Sequence, residues 1–161
     1  MKHNLHEKMQ QEQNEYRTWL LAQPPVYYQT GRYAREHEEL PQYRASMKLN
    51  EECRDEIDDA ISYNYNGLCL YDGAIQQVLA GYGAERTRYI IAAAIQVRDG
   101  NTRISPQNRR WADSVRTIHD INVDGYDKAA YYANLKSHSG LIDIFASRLR
   151  QLEREKTTPE R

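Results

Sequence analysis

One run of seven residues, Tyr89-Ile90-Ile91-Ala92-Ala93-Ala94-Ile95, limits what this chain can fold into more than any other segment. Wound as a helix, the run is apolar nearly all round, so it must be covered on every side. Its three consecutive alanines favour helix over strand and let neighbouring helices approach closely. A chain organised around such a helix needs several others to wrap it. The rest of the sequence supplies them, which makes the expected fold class all-α: a compact bundle of about six to seven helices with an N-terminal helical arm.

The flanking helices are legible from apolar spacing and from stop signals. Residues 4–22 carry Leu5, Met9, Tyr16 and Leu20 at multiples of three to four, with Trp19 and Leu21 beside them, and Asn4 is placed to cap. Gln23-Pro24-Pro25 stops this helix, because proline disfavours helix in the residue before it and lacks an N–H. Residues 1–24 therefore read as an arm, 25–155 as a single helical domain and 156–161 as a frayed tail. A short helical piece runs from Tyr27 to His37. Leu40-Pro41 opens a longer helix with Tyr43, Met47, Cys53, Ile57, Ala60 and Ile61 on one face, and Gly67 closes it. Asp72 is placed to cap a helix through Ile75, Val78 and Leu79, ended by Gly81-Tyr82-Gly83. Ser105-Pro106 is a strong helix start, a capping hydroxyl followed by proline. Residues 119–125 read as loop or extended chain, Tyr126 to Ala133 as a short helix, and Ser137 or Ser139 as the cap of a last helix carrying Leu141, Ile142, Phe145, Leu149 and Leu152.

Charge is sorted along this framework although its total is only −1. Residues 36–59 hold nine acids against three bases, a net of −6; residues 84–118 hold seven arginines against three acids, a net of +4. On the helix after Pro41, Glu51, Asp55 and Asp59 recur one turn apart. Such like charges repel by roughly 0.2–0.5 kcal/mol per pair, so the stripe calls for solvent or a basic partner. The basic counterpart is Arg86, Arg88, Arg103, Arg109, Arg110 and Arg116, with Trp111 among them. Arg86 and Arg88 enter a helix at its N-terminal end, where cations oppose the macrodipole. The glycine turn before them lacks the Gly-Lys-Ser/Thr ending of a phosphate loop. These two patches leave three readings open. Arg98, Arg103, Arg109, Arg110 and Arg116 contact nucleic acid, with Trp111 stacking on a base; the two patches pair within the fold; or a protein partner reads one of them. A pI near 6.5 argues against the first, since nucleic-acid-binding domains usually lie above about 9.

Catalytic and metal signatures are missing from the sequence. Cys53 and Cys69 match no ligand spacing, and Cys53 falls on an apolar face, so it reads as a buried thiol. The five histidines form no zinc pattern, and no nucleophile elbow occurs. The expectation is a protein that is not an enzyme, takes no cofactor and holds no metal. No apolar run is long enough to span a bilayer and no signal segment is evident, which predicts no membrane association, a cytoplasmic location and reduced thiols.

Several segments are familiar as a set. They are Tyr33-Ala34-Arg35-Glu36-His37-Glu38-Glu39-Leu40, Tyr43-Arg44-Ala45-Ser46, Asn50-Glu51-Glu52-Cys53-Arg54, Gly83-Ala84-Glu85-Arg86 and Asn108 to Ala112. From Pro25 to about Arg150 the chain resembles an uncharacterised domain-of-unknown-function family of Firmicutes gut bacteria, carried by conjugative elements and prophages. The opening Asn4 to Gln10, with Trp19-Leu20-Leu21, is similar to a leader on other small proteins of such elements. The resemblance implies no catalytic residues. It implies an accessory protein of a mobile genetic element that binds and inhibits a host defence protein, with an anti-CRISPR action on a nuclease as the sharpest version. The alternative is a nucleic-acid-binding factor for element transfer or replication. The N-terminal helix offers a route to homo-oligomers.

Overall fold

In the computed structural model the apolar run becomes α5 (Ala84–Gln96), and Tyr89 to Ile95 are all buried. The structure describes residues 2–23, 25, 31–67, 70–98, 100–119, 122–123, 126–127 and 134–157. Seven helices occur among them. Before α5 stand α1 (Lys2–Ala22), α2 (Gly31–Glu36), α3 (Leu40–Asn64) and α4 (Asp72–Tyr82). After it come α6 (Pro106–His119) and α7 (Ser139–Thr157). Helices α3, α4, α6 and α7 all pack on α5, while α2 and α1 lie on α3. One continuous core results. It joins Cys53, Ile57 and Ile61 of α3, Ile75 and Val78 of α4, the α5 run, Ala112 and Val115 of α6, and Ile142, Phe145 and Leu149 of α7. The alanines at 92–94 are fully buried, as close helix packing on several sides demands.

Gly83 separates α4 from α5 at φ +84°, a conformation that costs a residue with a Cβ and costs glycine nothing. Its N–H donates to the Leu79 carbonyl at 2.8 Å, and its own carbonyl accepts from the Thr87 hydroxyl at 2.8 Å. At α6 the Ser105 hydroxyl accepts from the Asn108 amide at 3.3 Å, the expected cap.

Local structure departs from expectation at five places. Helix α1 begins at Lys2, so Asn4 lies inside it rather than capping it. Asp72 is the first residue of α4, following Tyr71; its carboxylate is taken by Arg148 of α7 instead of by the helix amides. Tyr126 opens no helix: Tyr126–Asp127 pairs antiparallel with Asn122–Val123 as two short strands, β2 and β1. The chain between these strands is Asp124-Gly125, a dipeptide that hairpin turns favour. Residues 128–133 lie outside the described residues, as do Cys69 and residues 27–30. The last helix continues to Thr157, past the expected tail boundary. At its start, the Ser137 hydroxyl bonds Asp58 at 2.7 Å and the Ser139 hydroxyl accepts from Asn101 at 3.1 Å, so each is used in tertiary contacts.

Candidate interaction surfaces

Three of the six arginines expected to form a surface, Arg86, Arg88 and Arg109, have partners inside the fold. Arg86 is the extreme case, buried where α1, α3 and α5 meet. Its guanidinium donates to the Asn50 side-chain oxygen, to the Ser46 carbonyl at 3.3 Å and to the Leu20 carbonyl at 3.5 Å. Asn50 in turn donates to the Pro25 carbonyl at 3.1 Å. Every acceptor on Arg86 is a neutral oxygen. Burial holds the guanidinium below its ordinary range, and the neighbouring Cys53 and Glu85 offset only part of that shift. Leu20 lies in the last turn of α1, whose exposed carbonyls attract a cation. Arg86 is thus the clasp of the arm and is removed from the expected partner surface. Glycine-turn arithmetic could not reveal this, because the acceptors come from residues 20, 46 and 50.

The other arginines divide between structural and exposed positions. Arg88 meets Glu153 of α7 at 3.4 Å. Arg109 is half-buried and donates to the carbonyls of Ile104 and Asn101, tying α6 to the turn before it. Arg98 does similar work: it donates to the carbonyls of Leu135 at 2.7 Å and Ser137 at 3.4 Å. From the other side, Asp58 accepts from the amides of Lys136 at 2.9 Å and Ser137 at 3.1 Å. The entry to α7 is therefore held between an anion on amides and a cation on carbonyls. Trp111 is half-buried against the core. Arg103 and Arg110 are exposed. The side chain of Arg116 lies outside the described residues.

A buried polar knot that spacing did not indicate joins α6 to α7. The Asn108 amide nitrogen donates to Asp143 Oδ1 at 2.7 Å, to the Asp143 carbonyl at 3.1 Å and to the Ser147 hydroxyl at 3.0 Å. Its oxygen accepts from Arg150 at 2.9 Å. Asn108 is fully buried with its polar atoms engaged, so this knot fixes helix register and leaves little for a ligand.

The acidic stripe faces outward. Asp55 and Asp59 are exposed and Glu51 is half-buried, opposite the face that carries Cys53, Ile57 and Ile61. Asp55 meets its neighbour Arg54 at 3.1 Å. Among the described residues no ion pair links Glu51, Asp55 or Asp59 to the arginines of 84–118; the acidic and basic segments meet instead through Asp58 and Arg98 at the entry to α7.

A second surface emerges on α1. Every residue from 4 to 19 is exposed, including Leu5, Met9, Tyr16 and Trp19. The Tyr16 and Trp19 rings stack at 6.2 Å with planes 14° apart. Among the described residues the inner end of the helix is tied down by Arg86 on the Leu20 carbonyl and by Arg17, which meets Glu52 at 3.2 Å and lies over the Tyr82 ring at 5.9 Å. The apolar periodicity of α1 was visible in the sequence; that almost none of it would be covered was not.

No group of three or more His, Cys, Asp or Glu side chains among the described residues could hold a metal ion. No helix among them is long and apolar enough to cross a membrane. A family model described as protein of unknown function (DUF3849) matches residues 26–154, and the chain belongs to that family. The matched stretch begins after α1. No curated protein and no solved structure matches the chain.

Proposed function

We propose that this member of the DUF3849 family is a non-enzymatic accessory protein that acts by binding a protein with a basic surface. The observation that supports this reading is the outward acidic face of α3. Asp55 and Asp59 stay in solvent at one-turn spacing, while Arg98 and Arg109 are bound to carbonyls elsewhere. A like-charged stripe whose ion pair is with Arg54 of its own helix suits a cationic binding surface, which it would steer and orient. The resemblance of residues 33–40, 43–46 and 50–54 to a family of mobile elements supplies the setting: an element-borne protein in the cytoplasm whose target is a host defence component, with a CRISPR nuclease as the sharpest form. A nucleic-acid reading is weakened. Of the arginines on which it rests, Arg98 and Arg109 are bound to carbonyls in the fold, which leaves Arg103 and Arg110 exposed among those described.

The test is cleavage by purified Cas nucleases and restriction enzymes with the protein in excess. At least one cleavage is expected to be blocked. A Glu51→Lys/Asp55→Lys/Asp59→Lys variant should relieve the block, and an Arg103→Glu/Arg110→Glu variant should not. Uninhibited cleavage across the panel would sink the defence target. A mobility shift with duplex DNA that falls steeply with salt would replace the protein partner with nucleic acid.

A further inference from the structure

We infer that α1 is a self-association arm that pairs antiparallel with α1 of a second copy of this chain. A helix whose residues 4–19 all face solvent has little of its own to hold it, because helical stability in proteins comes mainly from packing an apolar face. Its local support is slight: Gln10 to Asn14 and Gln11 to Glu15, each at 3.3 Å, and the Thr18 hydroxyl on the Asn14 carbonyl at 2.8 Å. Yet it displays an organised face. Leu5, Met9, Glu12, Tyr16 and Trp19 succeed one another at intervals of four, three, four and three, the a/d spacing of a two-helix seam. All of them are exposed, Leu5 at 62% and Met9 at 52%.

The two ends of this seam are complementary to each other rather than to themselves. The free end presents the aliphatic Leu5 and the thioether of Met9. The anchored end presents the stacked plate of Tyr16 and Trp19. Charge has the same polarity in net: Lys2 and Lys8 against Glu7 toward the free end, Glu12 and Glu15 against Arg17 toward the anchored end, where Arg17 is taken by Glu52. One antiparallel register, centred between Gln10 and Gln11, satisfies both patterns. It sets Leu5 on the partner's Tyr16 and Met9 beside the partner's Glu12. Lys8 and Glu15 occupy the edge positions that face each other across an antiparallel seam, so each Lys8 meets the partner's Glu15. An aliphatic side chain on an aromatic ring adds packing at both ends. A parallel pair would put Glu12 against Glu12 and offer Lys8 no acid. The inner end of α1 stays clasped by Arg86 and Arg17, so the two domains would lie at opposite ends of the paired arms.

Sedimentation equilibrium on the full chain, over a range of concentrations, tests this. A monomer–dimer equilibrium is expected. Lys8→Glu and Glu15→Lys should each weaken the dimer about tenfold, since each creates two like-charge contacts. The Lys8→Glu/Glu15→Lys double variant should restore it. In a mixture of Leu5→Cys and Tyr16→Cys chains, a mixed disulfide should form in preference to Leu5–Leu5 or Tyr16–Tyr16 links. All four positions are exposed, so far-UV circular dichroism should show the folded domain retained in each variant. A monomer throughout, a dimer indifferent to the charge swaps, no rescue in the double variant, or preferential same-residue disulfides would each overturn the arrangement.

Discussion

Helices α1 and α5 are opposite solutions to the same local structure. Along α5 nine of its residues, Arg86, Thr87 and Tyr89 to Ile95, are buried; along α1 the only buried one is Leu20 among those described. Apolar content does not explain the contrast, since α1 carries Leu5, Met9, Tyr16, Trp19, Leu20 and Leu21. Position in the packing does. Four helices surround α5, whereas α1 leans on the domain at its inner end and its residues 4–19 are exposed. The lesson is that an apolar stripe records a need for cover and leaves open who supplies it. For α5 the chain itself does; for α1 the proposed answer is a second copy.

The contrast can be broken or sharpened by substitution. Ile91→Ala in α5 opens a cavity in a core closed on all sides and should cost about 2–5 kcal/mol in denaturant unfolding, enough to threaten folding outright. Next comes the clasp between the two regions. Arg86→Ala strands the Asn50 side chain and the Ser46 carbonyl and releases the Leu20 carbonyl, at an expected loss of about 2–3 kcal/mol. Arg86→Met, which refills the space without a charge, should recover much of that stability. In both variants limited proteolysis should cut between α1 and α2 earlier than in the parent.

A third effect is alkaline. Burial pushes the Cys53 thiol from an ordinary value near 9.0 up to about 12, with the Thr87 hydroxyl and Arg86 opposing only in part. In the unfolded chain the thiol ionises near 9.0, while the folded chain keeps its proton to about 12. The stability that this neutral thiol contributes is whole below pH 9 and is lost as pH rises from there toward 12, by about 1.4 kcal/mol per unit. Cys53→Ser should flatten that slope in unfolding measured between pH 8 and 10, and the parent thiol should resist alkylation at neutral pH. The smallest effect belongs to the arm. Leu5→Ser/Met9→Ser should change the unfolding free energy of dilute protein by less than about 0.5 kcal/mol, because both side chains are already in water. A larger loss would mean that the arm is covered within a single chain.

Much of this fold was legible before any coordinates. The all-round apolar run, Pro41, Ser105-Pro106 and the Gly81–Gly83 break marked real helices, because those signals act within one turn of backbone. Errors came where a local signal had a distant competitor. Asp72 looks like a cap and serves Arg148; Ser137 looks like a cap and serves Asp58. The candidate surface fared less well for the same reason. Arg86, Arg88 and Arg109 were indistinguishable in sequence from Arg103 and Arg110, since an arginine's exposure depends on which carbonyls and carboxylates the fold brings to it. Asn108 gave no spacing signal at all, because its partners lie on α7.

By itself, then, the order of residues determined that the chain is helical, that α5 is its axis and that the acidic stripe lies opposite the apolar face of α3. Those properties follow from periodicity and from steric rules at glycine and proline, which operate over a few residues. Only the tertiary structure decided which arginines are surface and which are mortar, and that α1 stands uncovered. Those outcomes depend on oxygens brought together from residues 20, 46 and 50, or from 135 and 137, and no local rule relates such distant positions.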